Sequence, residues 1–272
     1  MLAHDVLTAP GATPERSFFF LHGILGSGTN LRTIARRFVT ERPRWAAVLV
    51  DLRRHGRSLE VEGPDTLAQA AADVAALARS LPTPARAVLG HSFGGKVALE
   101  WLAKEGEGTA LEHVVVVDSN PGPRPDARGS EGTLAVVDML DSLPYPFASR
   151  DAFVQAVLER DPRPTLAAWL AMSLRREDDG LRFGPPIASI RALLASYFAE
   201  DLWPVVEAPP AAARVHLVIG ERSSVLDEAD RARADAATRS GRVTVERLPT
   251  DHWVHTEDPD GLVRVLLDRV RT

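Results

Sequence analysis

The chain has 272 residues, 45% hydrophobic and 25% charged, enough for one large core or a core carrying an insertion. A formal net charge of −5 offers no attraction for nucleic acid or an anionic membrane surface. With no cysteine, disulfides, thiolate metal sites and a cysteine nucleophile are excluded.

The first residues, Met1-Leu2-Ala3-His4-Asp5, lack the basic start and apolar run of a signal peptide. No apolar stretch approaches the roughly 18 residues of a membrane span, so a cytoplasmic protein is expected. Residues 17–21 and 46–50 are short continuous apolar runs of the kind that parallel strands make when buried on both faces. Residues 66–78 have helical apolar spacing, with Thr66 placed as a cap. Strand-like runs return at 87–89 and 114–117, with helical spacing at 96–102 between them.

Residues 121–210 read differently. No strand is evident there; Leu166, Trp169, Leu170 and Leu174 share one helical face, and Ile190, Leu193, Leu194, Tyr197 and Phe198 another. Proline clusters at 121–125 and 209–210 mark the two ends. The β-α rhythm resumes with strands at 214–219 and 242–248 and a helix over 258–270. The expected architecture is a doubly wound, mostly parallel α/β sheet from residues 1–120 and 211–272, with an all-helical cap, 121–210, inserted.

The most informative stretch is Gly90-His91-Ser92-Phe93-Gly94-Gly95, set between a strand and a helix. Gly-x-Ser-x-Gly in that context forces a sharp turn that lifts the serine hydroxyl to the N-terminal end of the helix. Ser92 therefore reads as a nucleophile. Its hydroxyl needs a base, and the base needs a group that holds its tautomer. Of the histidines after Ser92, His113 and His216 fall at or in strands, whereas His252 lies in a loop beyond a strand's carboxyl end. His252 is the expected base, with His255 as fallback.

The acid is less clear. The loop after residues 214–219 places Ser223 where an aspartate is usual, and a serine cannot stabilise an imidazolium as a carboxylate does. Asp118, closing the strand at 114–117, is the preferred acid; Asp227 and Glu221 remain as alternatives. An oxyanion needs two backbone donors: Phe93 after the nucleophile, and Ile24 in the turn Leu21-His22-Gly23-Ile24-Leu25-Gly26. These glycines lack the spacing of a phosphate loop or a dinucleotide site, and His22 reads as structural. No His-Glu-x-x-His or comparable cluster supports a metal, and no cofactor is expected.

Taken together, Phe20-Leu21-His22-Gly23-Ile24-Leu25-Gly26-Ser27, Asp51-Leu52-Arg53-Arg54-His55-Gly56-Arg57-Ser58, Gly90-His91-Ser92-Phe93-Gly94-Gly95-Lys96-Val97-Ala98, Val116-Val117-Asp118 and His252-Trp253-Val254-His255-Thr256-Glu257-Asp258-Pro259 resemble the α/β-hydrolases. The chain is most similar to small acyl esterases of the bacterial YbfF type and their eukaryotic hydrolase-domain relatives. Lys96 and Ser223 point to that subgroup. The resemblance implies that the acid comes from the earlier strand, matching Asp118, with Ser223 close to the histidine. It also implies cleavage of carboxylic esters or thioesters of short-to-medium acyl chains, without a cofactor, by a monomer or homodimer. Asp251, where the superfamily usually has glycine, departs from the pattern, as does Ser119-Asn120-Pro121 after the acid. Met139, Trp169, Met172, Phe183, Tyr197, Phe198 and Trp203 are candidates to line an acyl pocket. The alternatives are a cofactor-free lyase or carbon–carbon hydrolase of the same fold, and a non-catalytic ligand-binding protein on the same scaffold.

Overall fold

A computed structural model describes residues 1–271. Its strands are β1 (His4–Leu7), β2 (Arg16–Leu21), β3 (Trp45–Val50), β4 (Ala85–His91), β5 (His113–Val117), β6 (Leu174–Glu177), β7 (Gly180–Phe183), β8 (Arg214–Gly220) and β9 (Val243–Leu248). Seven of them form one sheet in the order β1-β3-β2-β4-β5-β8-β9. Only β1 runs antiparallel, along the β3 edge; every other pairing in that sheet is parallel.

The apolar runs dictate this arrangement. In β2 the side chains alternate between the faces, with Phe19 and Leu21 in one core cluster and Phe18 and Phe20 in the other. Helices Leu67–Ser80 and Phe93–Glu105 cover the first face, through residues such as Leu67, Val74 and Leu99. Helices Arg32–Glu41 and Pro259–Arg269 cover the second, through Ile34, Phe38, Leu262 and Leu266. The sheet is thus doubly wound, as expected. Thr66 caps its helix by accepting from Gln69 N–H at 3.2 Å, and Asp258 caps the last by accepting from Gly261 N–H at 2.8 Å.

The segment between β5 and β8 corrects one expectation. It is not all-helical: β6 and β7 form an antiparallel hairpin, with Leu174 paired to Phe183. Leu174 therefore opens a strand, and the helix Pro164–Leu170 ends before it. This hairpin carries no apolar run. Arg175, Arg176 and Glu177 are exposed, Asp178-Asp179 make the turn, and Gly180 at φ 147° opens the second strand. Arg182 bonds back to Glu177 at 3.0 Å and Asp179 at 2.6 Å, so charge rather than burial marks the two strands. Helix Ile187–Ala199 does present Ile190, Leu193, Leu194, Tyr197 and Phe198 to the core. Lys96, fully buried, donates to Gly122 O at 2.8 Å and Tyr197 O at 2.6 Å, tying two parts of this segment to helix Phe93–Glu105. Among the described residues, no helix is long and apolar enough to cross a membrane.

Candidate active site

β4 delivers Ser92 to the carboxyl edge of the sheet in a conformation a serine rarely takes, φ 52° and ψ −119°. Close packing around this turn leaves no room for a side chain at either flanking glycine. A Cβ on Gly90 would lie 2.0 Å from Gly94 O, and one on Gly94 would lie 2.5 Å from Leu21 O. Ser92 N–H donates to Val117 O at 2.9 Å, which pins the bend to β5. Helix Phe93–Glu105 starts immediately afterwards, so Ser92 stands among first-turn amides that a helix cannot satisfy itself.

The Leu21–Ser27 turn approaches Ser92 from β2. A Cβ on Gly23 would sit 3.3 Å from Ser92 Cβ, so the Ile24 amide follows one residue after this close approach. Among the described residues, neither Phe93 N–H nor Ile24 N–H donates to a backbone or side-chain acceptor. Two histidines brace this turn from behind. His22 Nε2 accepts from Leu52 N–H at 3.0 Å and its Nδ1 donates to Gly23 O at 2.7 Å. His55 Nε2 accepts from Leu25 N–H at 3.0 Å and its Nδ1 donates to Arg53 O at 2.8 Å. Each ring is thereby held as a neutral tautomer, and burial pushes both below the usual imidazole range, His55 to about 3. The supporting role of His55 had no signal in the sequence beyond its place in a family-like motif.

Asp118 leaves β5 at φ 44°, with its N–H donating to Val218 O at 2.7 Å. Its side chain is completely buried. Oδ1 accepts from Gly220 N–H at 3.0 Å; Oδ2 accepts from Ser223 Oγ–H at 2.6 Å and from His252 Nδ1 at 2.7 Å. Three donors hold the carboxylate as an acceptor. His252 occupies the loop between β9 and helix Val254–Glu257, with its side chain about a quarter exposed. Its ring centroid lies 4.7 Å from that of His91, the neighbour of Ser92.

The alternatives fall elsewhere. Asp227 caps helix Glu228–Ala237, accepting from Asp230 N–H at 2.9 Å, and pairs with Arg124 at 3.4 Å. Glu221 is exposed. His255 is buried beside His91 with its Nδ1 unpartnered, and burial pushes it down to about 4. His113 and His216 hydrogen-bond to each other at 3.1 Å inside the sheet. Among the described residues, no group of three metal-ligating side chains could hold an ion. Asp251 is accommodated by surface contacts, its N–H donating to Glu257 Oε2 at 3.0 Å.

Of the candidate acyl-lining residues, Trp169 reaches the site. It packs edge-on against Trp253, centroids 5.1 Å apart, and the two border a cavity of about 10 Å³ with Gly23, Ile24 and His91. Trp203 and Phe198 are buried in the core, and Met172 points to solvent. The Tyr197 ring lies 6.0 Å from that of Phe93.

The alpha/beta hydrolase family model matches residues 18–265. A Haemophilus influenzae protein named as an esterase/lipase is 36% identical over 104 residues, 38% of this chain and 34% of that protein. The sn-1-specific diacylglycerol lipase ABHD11 of Danio rerio is 34% identical over 123 residues, 44% of this chain and 36% of that one. The matched part is thus about a third of these relatives' length. Among solved structures, a marine microorganism esterase superposes with a TM-score of 0.80 at 20% identity, covering 98% of both chains. E-2-(acetamidomethylene)succinate hydrolase does so at 0.76 and 22%, covering 99% of this chain and 95% of the other. Such identities speak for the fold alone.

Proposed function

The chain belongs to the alpha/beta hydrolase family, and on that premise we propose that it cleaves carboxylic esters, thioesters included, of short-to-medium acyl chains through an acyl-enzyme on Ser92. The observation that carries the reading is the buried Asp118 carboxylate bonded to His252 Nδ1 at 2.7 Å, beside a serine held on a strained turn. That bond leaves Nε2 of His252 as the basic nitrogen. Among the described residues, His252 is engaged through Nδ1 and its carbonyl, so Nε2 is free to meet the Ser92 hydroxyl when substrate arrives.

In the proposed sequence, Ser92 Oγ attacks the acyl carbon while its proton passes to His252 Nε2. Phe93 N–H and Ile24 N–H receive the oxyanion, and two unengaged amides at a helix start and a tight turn suit that role. The carbon–oxygen or carbon–sulfur bond then breaks, and the same proton goes to the leaving alkoxide or thiolate. Water repeats the attack on the acyl-enzyme with His252 as base, releasing the acid. Residues 121–210 form a cap in this reading, and the Trp169–Trp253 contact must part to admit a chain larger than the present cavity.

The names of the partial relatives, an esterase/lipase and a diacylglycerol lipase, favour an oxygen-ester substrate. The test is hydrolysis of p-nitrophenyl acetate, butyrate, octanoate and palmitate, alongside Ser92→Ala. Turnover that vanishes in the variant, peaking at butyrate or octanoate, is expected. Activity surviving Ser92→Ala would reject the mechanism, and folded wild-type protein inert on all four would favour the lyase or ligand-binding alternatives.

A further inference from the structure

We infer that His91, between Gly90 and Ser92, is a positioning residue that fixes the His252 imidazole by holding the His252 main chain; this rests on the hydrolase reading above. His91 Nε2 lies 2.8 Å from His252 O, joining positions 161 residues apart. A carbonyl can only accept, so Nε2 carries the proton and Nδ1 is left as an acceptor. The ring has little room to turn. Its centroid is 4.7 Å from those of both His252 and His255 and 5.8 Å from Trp253. A Cβ on Gly23 would stand 3.0 Å from its Nδ1. Burial also holds this imidazole well below its ordinary range, so the donor keeps a single neutral tautomer.

What else restrains the loop gives the contact its weight. Arg222 N–H donates to Thr250 O at 3.0 Å, and Asp251 N–H donates to Glu257 Oε2 at 3.0 Å. Both anchors act before His252; after it, Trp253 O accepts from Thr256 N–H and Glu257 N–H, each at 2.9 Å. At His252 itself, Asp118 takes the ring's Nδ1 and His91 takes the carbonyl. The first bond leaves the ring free to swing about the carboxylate oxygen; the second fixes the main chain from which the ring projects. Two restraints place Nε2 where one would not. The second comes from the residue bonded to Ser92, so the loop carrying the base is referenced directly to the turn carrying the hydroxyl.

His91→Leu removes the donor, and His91→Gln returns a side-chain N–H near the position of Nε2. Because a misplacement of about 1 Å can cost roughly 10²-fold, His91→Leu should lower kcat on a p-nitrophenyl ester by about that factor with KM little changed. Fluorophosphonate labelling, in which Ser92 Oγ bonds phosphorus and fluoride leaves, should slow in parallel. The downfield proton resonance of His252 Nδ1–H should broaden in His91→Leu. His91→Gln should recover most of the rate and the resonance. A folded His91→Leu protein with wild-type kcat and labelling would overturn the inference. So would a loss that glutamine fails to restore while the resonance stays unchanged, since that pattern belongs to packing. If His91→Leu does not fold, His91→Asn, whose amide is too short to reach the carbonyl, takes its place with the same readouts. Wild-type protein that no fluorophosphonate labels at Ser92 would instead sink the hydrolase reading, and this inference with it.

Discussion

Asp118 gathers three donors on two oxygens, and its neighbours show how it differs from Asp227. Asp227 also accepts hydrogen bonds, but from the first turn of a helix and near Arg124, with no histidine among its partners. Asp118→Asn should therefore lower kcat by on the order of 10⁴, through loss of the tautomer that exposes Nε2. Asp227→Asn should leave turnover within a few-fold of wild type, because asparagine also caps helices well. Ester hydrolysis by the two purified variants separates the assignments, and a larger loss at Asp227 would reverse them. Ser92 and His252 could be proposed from chemistry and order along the chain, which left Asp118 beside Asp227 and Glu221. His55 and the His91 carbonyl contact could not, because both are hydrogen bonds to main-chain atoms from loops distant in sequence.

Elements were legible where burial left a pattern. The runs behind β2, β3, β4, β5 and β8 are apolar because both sheet faces are covered, and with the alternating, half-buried edge strand β9 they locate six strands to within two residues. β1 and the β6–β7 hairpin escaped that logic. β1 is a half-exposed edge of four residues, and the hairpin is held by backbone pairing and by ion pairs around Gly180. The strand-to-helix turn at Ser92 shows the opposite extreme, where one atom decides the geometry. Gly90→Ala would place a methyl 2.0 Å from Gly94 O and should abolish soluble expression or lower the melting temperature by 10 °C or more, given ~1 kcal/mol per roughly 2–4 °C for a domain of this size. Gly106→Ala is the opposite case, a φ of 52° with nothing within 4 Å, so it should cost only about 1–3 kcal/mol of backbone strain. Thermal melts of both variants test whether contact, rather than backbone angle, sets the cost.

At the level of the whole molecule, six of the eight histidines are buried, which disfavours their charged form. Burial pushes His55 and His216 to about 3 and His255 to about 4, and it lowers His22, His91 and His113 as well. Each folded value lies below that of an unfolded histidine, about 6.5. Between those values the unfolded chain binds more protons, so stability present above about pH 6.5 is lost as pH falls toward 4 and below. Urea midpoints measured at pH 7.5, 6 and 5 should decline in that order. His216→Gln, which preserves hydrogen bonding to His113 without titrating, should make the decline shallower. An equal slope in the variant would mean that the acid sensitivity originates elsewhere. Composition gave eight histidines but not their burial, which depends on which loops the sheet folds together.

The hydrogen bond from Ser223 to Asp118 has a wider meaning for how such a site can change over generations. The serine hydroxyl and the imidazole converge on a single Asp118 oxygen, at 2.6 Å and 2.7 Å, and Ser223 and Asp118 themselves follow adjacent strands. The negative charge accordingly has two possible addresses. A carboxylate arising at position 223 would stand within reach of the same nitrogen, and the pair of acids would share one proton rather than repel. A lineage can therefore hand the charge from one strand to the next through an intermediate bearing both, without an interval in which the histidine lacks a partner.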